Sequence, residues 1–157
     1  MTTKENQKAK ILKYVAINDA GNFNTWNPAH IDELKRKEFS TDLGQRILFE
    51  NEYLRIWEVV LLPKERLPFR KIEFDYYWVA GSEGMVISRF SDGKIVLMHL
   101  EKGDSEFLLH ENNYGIYDME NIGDDILFFQ LTEFKGEEIF VKERIQETIN
   151  RNSPGGN

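Results

Sequence analysis

Cysteine is absent from this chain of 157 residues. That removes disulfides, thiolate nucleophiles and zinc–thiolate centres at once. Histidine is scarce, with only His30, His99 and His110 in the whole sequence. No apolar run approaches the ~20 residues that a membrane-spanning helix needs. Positive charge is in the minority, 20 Lys and Arg against 27 Asp and Glu, for a formal net charge of −7. Phosphate backbones and anionic membranes are therefore repelled, and no basic stripe with interleaved aromatics reverses this. Neither nucleic acid nor membrane is an expected partner. The Lys-containing start, Lys4 to Lys13, reads as a solvated tail. The opening residues lack the apolar segment of a secretory signal, which sets a cytoplasmic expectation. P-loop, dinucleotide-binding, Gly-x-Ser-x-Gly and zincin motifs are also missing, and Gly81-Ser82-Glu83-Gly84 reads as a turn.

What is present is a globular composition: 41% hydrophobic, 30% charged and 13% aromatic residues, enough for one domain with its own core. Three regions follow. Residues 1–45 form an N-terminal extension, with an edge strand near Ile11 to Ile17. A short helix near Ala29 to Glu38 is started by Asn27 as N-cap and Pro28 at the first helical position. Residues 46–135 hold many short β segments. Tyr53 to Leu62 ends at Pro63, and Ile72 to Ala80 ends at Gly81. Met85 to Phe90 and Lys94 to Leu100 flank Ser91-Asp92-Gly93, a hairpin signal because Asp-Gly supplies positive φ angles. Ser105 to Leu109, Tyr114 to Glu120 and Ile126 to Phe134 complete the set. Short strands at this spacing with Gly turns between them predict an all-β sandwich or barrel. Residues 136–157 carry Val141, Ile145 and Ile149 at helical spacing, which predicts a C-terminal helix before a disordered end.

Three passages in the β region resemble a small single-domain cupin, a double-stranded β-helix with a jelly-roll barrel. Tyr53-Leu54-Arg55-Ile56-Trp57-Glu58-Val59, running to Leu61-Leu62-Pro63-Lys64-Glu65, is similar to the strand and turn before the first cupin motif. Leu67-Pro68-Phe69 through Asp75-Tyr76-Tyr77-Trp78-Val79-Ala80 is similar to that motif. Lys102-Gly103-Asp104 and Asp118-Met119-Glu120-Asn121-Ile122-Gly123-Asp124 resemble the second. The resemblance implies dimerisation, since small cupins often pair through sheet edges or exchanged N-terminal segments. It also implies where a metal would sit. In a metal-binding cupin, His-x-His and a carboxylate come from the first motif and a third His from the second. Here the two histidines fall on Arg70 and Ile72, the carboxylate near Asp75 or Tyr76, and the last His on Tyr117. A permanent guanidinium repels a divalent ion and Ile72 donates nothing. No metal site and no cofactor are expected.

Strand alternation places Arg70, Ile72, Phe74, Tyr76 and Trp78 on one face. If that face is the inner one, Arg70, Tyr76, Trp78 and Tyr117 are the candidate ligand-binding residues of an aromatic lumen. Arg70 could there grip a carboxylate. The alternative is a core closed by the same rings, with Arg70 paired to Glu73 or Asp75. Lys71 is expected at the surface, Trp57 in the core, and Trp26 as a plug or interface residue. Three functions stay open: a metal-free cupin, expected as a homodimer, binding a small aromatic or carboxylated molecule; a cupin-fold lyase, isomerase or oxygenase; and an interaction module with a filled barrel. Catalytic residues are not assigned, as neither His99 nor His110 falls in a matching motif.

Overall fold

Segments too short to bury an apolar face alone do so here by stacking two sheets face to face. The computed structural model describes residues 13–110, 115–135 and 146–151. Its elements are β1 (Lys13–Asn18), α1 (Pro28–Arg36), β2 (Arg46–Glu50), β3 (Leu54–Leu61), β4 (Arg66–Lys71) and β5 (Tyr76–Ala80). They continue as β6 (Gly84–Arg89), β7 (Ile95–Leu100), β8 (Ser105–Leu108), β9 (Ile116–Asn121) and β10 (Leu127–Phe134). One sheet has the order β1-β7-β6-β9-β4 and the other β2-β3-β10-β5-β8. Every pairing between these strands is antiparallel. Sequential neighbours alternate between sheets along β3, β4, β5, which is the jelly-roll path.

Trp57, Val59 and Leu61 on β3, Trp78 and Ala80 on β5, and Leu127, Phe129 and Leu131 on β10 alternate inward to give one continuous core. Trp57 is buried as expected, and its indole donates to Glu133 at 3.0 Å. The Asp92-Gly93 hairpin joins β6 to β7, with Gly93 at φ +103°. A side chain there would also press on the Phe23 ring at 3.2 Å, so glycine satisfies both the turn and the close approach.

The N-terminal region covers the outer face of the first sheet. Asn27 caps α1 by accepting from the Ala29 amide at 3.0 Å, and Lys37 ends it in the left-handed region. The helix is anchored by Glu33, which pairs with Arg66 at 2.6 Å and accepts from the Phe69 amide at 3.3 Å. Trp26 is buried there. It stacks on Phe69 at 6.1 Å and donates to the Gly93 carbonyl at 3.0 Å.

Two expectations change. The expected strand from Ile72 to Ala80 begins only at Tyr76, because the chain crosses between sheets over residues 72–75. Arg70 and Tyr76 thus lie on different sheets rather than on one alternating face. Residues 146–151 are helical, but the rest of the predicted C-terminal helix and tail lies outside the described residues, as do Met1 to Lys10.

Candidate functional site

β4 carries the irregularity that builds the site. Leu67 pairs with Met119 and Arg70 with Tyr117, so two intervening residues of β4 oppose one of β9. This is a β-bulge, and Pro68 sits in it, where a missing amide hydrogen does least harm. The extra residue puts Leu67 and Arg70, three apart, on the same inner face. β9 keeps strict alternation: Tyr117 and Met119 point in, while Asp118 and Glu120 meet Arg66 and Arg89 outside. Asp118 accepts from Arg66 Nε at 2.6 Å and from Arg89 Nη1 at 2.9 Å.

Inside, the Tyr76 hydroxyl of β5 is hydrogen-bonded to the Tyr117 hydroxyl of β9. The two rings are almost fully covered, at 2% and 7% exposure. Burial pushes the Tyr76 phenol well above 10.0, and the neighbouring Tyr117 pushes the same way. Burial also raises Tyr117, although the Arg70 guanidinium opposes it. Both phenols are therefore neutral donors at ordinary pH. Arg70 is 4% exposed and donates to the Leu43 carbonyl, and its Nε has no hydrogen-bond partner. Among the described residues it makes no ion pair, so the alternative of a pairing with Glu73 or Asp75 is not met. Burial pulls its pKa down.

These groups divide the barrel in two. On the β2–β4 side, Arg70, Leu43, Trp57 and Ile72 fill the space. Toward β1 and β8 lies a cavity of about 590 Å³, within the usual range for small-molecule sites. Tyr76, Trp78 and Tyr117 line it and Arg70 does not; the guanidinium stands behind the phenol pair. Phe90 packs on Tyr117 at 5.2 Å, and Phe129 meets Trp78 edge-on at 5.7 Å. Tyr14 of β1 belongs to the lining but is 53% exposed, which marks the mouth.

Three polar lining residues had not been singled out in the sequence: Ser88, Lys94 and Glu106. Glu106 is the cross-strand neighbour of Trp78. Burial raises its carboxyl above 4.5, and the Trp78 indole opposes the rise. A signal existed, since alternation along β8 puts Glu106 and Leu108 on the inner face and Ser105 and Phe107 on the outer one.

A divalent ion does not fit the inner end of this lumen. The groups at the family's ligand positions are a guanidinium, an aliphatic chain and a phenol, and the orphaned buried atom is a donor nitrogen rather than a lone pair. Elsewhere, His110 pairs with Asp75 at 3.0 Å and His99 with Glu83 at 3.4 Å. Among the described residues, no group of three His, Asp or Glu side chains is placed to hold a metal. Nor is any helix among them long and apolar enough to cross a membrane.

The fold has solved relatives. A cupin domain from Bordetella pertussis Tohama I is 19% identical, with 58% of this chain and 91% of that one covered, at a TM-score of 0.52. An RmlC-like cupin family protein with a double-stranded β-helix fold from Methanocaldococcus jannaschii is 18% identical, covering 66% and 93%, at 0.45. A sugar phosphate isomerase from a cupin superfamily, from Silicibacter pomeroyi DSS-3, is 16% identical, covering 54% and 52%, at 0.41. No family model and no curated protein matches the sequence. Likeness at these identities speaks of fold alone, and with the strand order above it makes the chain a small cupin-like jelly-roll protein.

Proposed function

We propose that this is a metal-independent, cytoplasmic cupin-fold protein that binds a small planar aromatic molecule between its sheets. The observation that carries the reading is the cavity of about 590 Å³, walled by Trp78, Phe90 and Phe129 and closed at its inner end by Tyr76 and Tyr117. Flat apolar walls with few polar groups favour a ring system over a sugar or a peptide. The cavity also weighs against a filled interaction module.

A thermal-shift panel of planar aromatic compounds tests this. Hits should appear for the native chain and vanish in Val96→Trp, which places an indole into the cavity wall. A panel without a single hit would overturn the reading.

An enzymatic reading has one observation in its favour. The Glu106 carboxyl and two phenol hydroxyls line the same cavity, a set able to exchange protons with a bound molecule. Incorporation of deuterium from heavy water into a bound ligand would favour that reading; a ligand returned unlabelled would favour simple binding.

We further propose a homodimer. Val15 and Ile17 on β1, and Ile47, Leu48 and Phe49 on β2, leave two sheet edges apolar and exposed, a surface that usually calls for cover. Light scattering on the native chain and on Phe49→Lys would show whether β2 provides it.

A further inference from the structure

The inner end of the cavity has more hydrogens to give than partners to receive them. A pair of hydroxyls carries two protons, and the Tyr76–Tyr117 bond uses one of them. Among the described residues no other hydrogen bond involves either hydroxyl. One O–H of the pair is left without an acceptor beside the empty volume. Behind it, Arg70 presents five N–H donors, bonds the Leu43 carbonyl, and leaves Nε unmet.

Charge tells the same story. Asp118 is the carboxylate whose field reaches Arg70, and it is already engaged by Arg66 and Arg89 on the other face of β9. Within the lining, Lys94 offsets Glu106 formally, although the field of Glu106 also reaches both phenols, and behind them Arg70 makes no ion pair among the described residues. A buried cation of this kind is costly to desolvate. An anionic ligand oxygen next to the phenols would supply both the missing acceptor and the missing charge.

The geometry points to an oxyanion-recognition site at the inner end of the cavity, formed by Tyr76 and Tyr117 and backed by Arg70. Its ligand is a planar aromatic molecule bearing an ionisable oxygen, such as a phenol or a conjugated enol. This rests on the cavity-binding reading and adds the chemistry that the cavity selects. The oxygen accepts from the free phenol O–H, and the guanidinium favours its charged form through the pair. The ring lies between Trp78 and Phe90, toward the mouth. Direct bidentate capture of a carboxylate by Arg70 is replaced by this indirect role, because the phenols stand between the guanidinium and the cavity.

Two probes of nearly equal shape, 4-nitrophenol and 4-nitrotoluene, separate recognition of the oxygen from binding of the ring. Both are titrated calorimetrically into the full chain, and the visible spectrum of nitrophenol reports its ionisation. At the free probe's own pKa, nitrophenol should bind at least about tenfold more tightly than nitrotoluene, with the absorbance of the phenolate. The double variant Tyr76→Phe/Tyr117→Phe should retain nitrotoluene binding and lose the preference. Equal affinity for the two probes would overturn the inference and leave the cavity reading standing. So would nitrophenol bound as the neutral phenol, or a preference that survives in the double variant. Failure of both probes to bind would overturn the two readings together. The comparison on the native chain needs no variant to fold.

Discussion

The Tyr76 hydroxyl bonds directly to the Tyr117 hydroxyl, so a strand of one sheet is tied to a strand of the other through the middle of the barrel. The bond is wholly buried, and a net hydrogen bond in such a place contributes about 1 kcal/mol. Tyr76→Phe and Tyr117→Phe should each lower stability by roughly that amount. The double variant should lose less than the sum, since the second change removes a partner already idle. Urea denaturation of the four proteins in the cycle measures the coupling; strict additivity would show that the hydroxyls do not interact.

Arg70 is the reverse case, a group whose removal should help the fold. Arg70→Met deletes one bond to the Leu43 carbonyl, worth about 1 kcal/mol, and relieves a desolvated charge that costs several. The variant should gain about 1 kcal/mol or more, seen as a melting temperature higher by roughly 2–4 °C. It should also lose its preference for nitrophenol. A variant that melts lower would show that the guanidinium stabilises the native barrel.

Asp118 illustrates how the same chemistry behaves when every partner is present. It is fully buried and accepts from two guanidiniums and from the Arg89 amide at 2.6 Å. Asp118→Asn keeps the shape and removes the charge, leaving Arg66 and Arg89 short of a counter-ion. A loss of about 3–5 kcal/mol is expected, read as a large drop in the urea midpoint. A shift within experimental scatter would mean that Glu33 and Glu120 suffice.

Glu106 should leave its mark on the pH dependence. Its carboxyl is raised above 4.5 by burial, so the native chain holds that proton to a higher pH than the unfolded chain. The stabilising contribution is complete below 4.5 and declines as pH rises through the native value. Glu106→Gln removes this dependence. The variant should be the more stable protein at neutral pH and should converge on the native chain in acid. Parallel stability curves across that interval would contradict the assignment.

Much of the framework was legible because it rests on local rules. Asn27-Pro28 signalled the helix start through capping and a fixed φ, and Asp92-Gly93 signalled the hairpin through its positive φ. The strands of the second half began and ended within a residue or two of their turn residues. The lumen was legible only in part. Tyr76, Trp78 and Tyr117 do line one cavity, but not as residues of a single alternating face. Arg70 neighbours Tyr117 across β4 and β9, on the sheet opposite Tyr76 and Trp78, and stands outside the cavity. Period-two reasoning cannot see a crossing between sheets at Ile72 to Asp75, nor a bulge in which Pro68 and Phe69 change the count. Glu106 and Lys94 were missed because each reads locally as ordinary surface charge; the tertiary fold makes them neighbours of a ring-lined space.

That bulge has a consequence for any attempt to rebuild the barrel. Which way a β4 side chain faces is decided by the number of residues since Leu67, and not by its chemical character. Regularising β4 into unbroken alternation while keeping the surplus residue would swing Arg70 to the helix-covered exterior and rotate Lys71 toward the phenols. The positive charge would remain while its planar, forked geometry was lost. Redesigns of this scaffold therefore need to hold the bulge in place before they vary the residues.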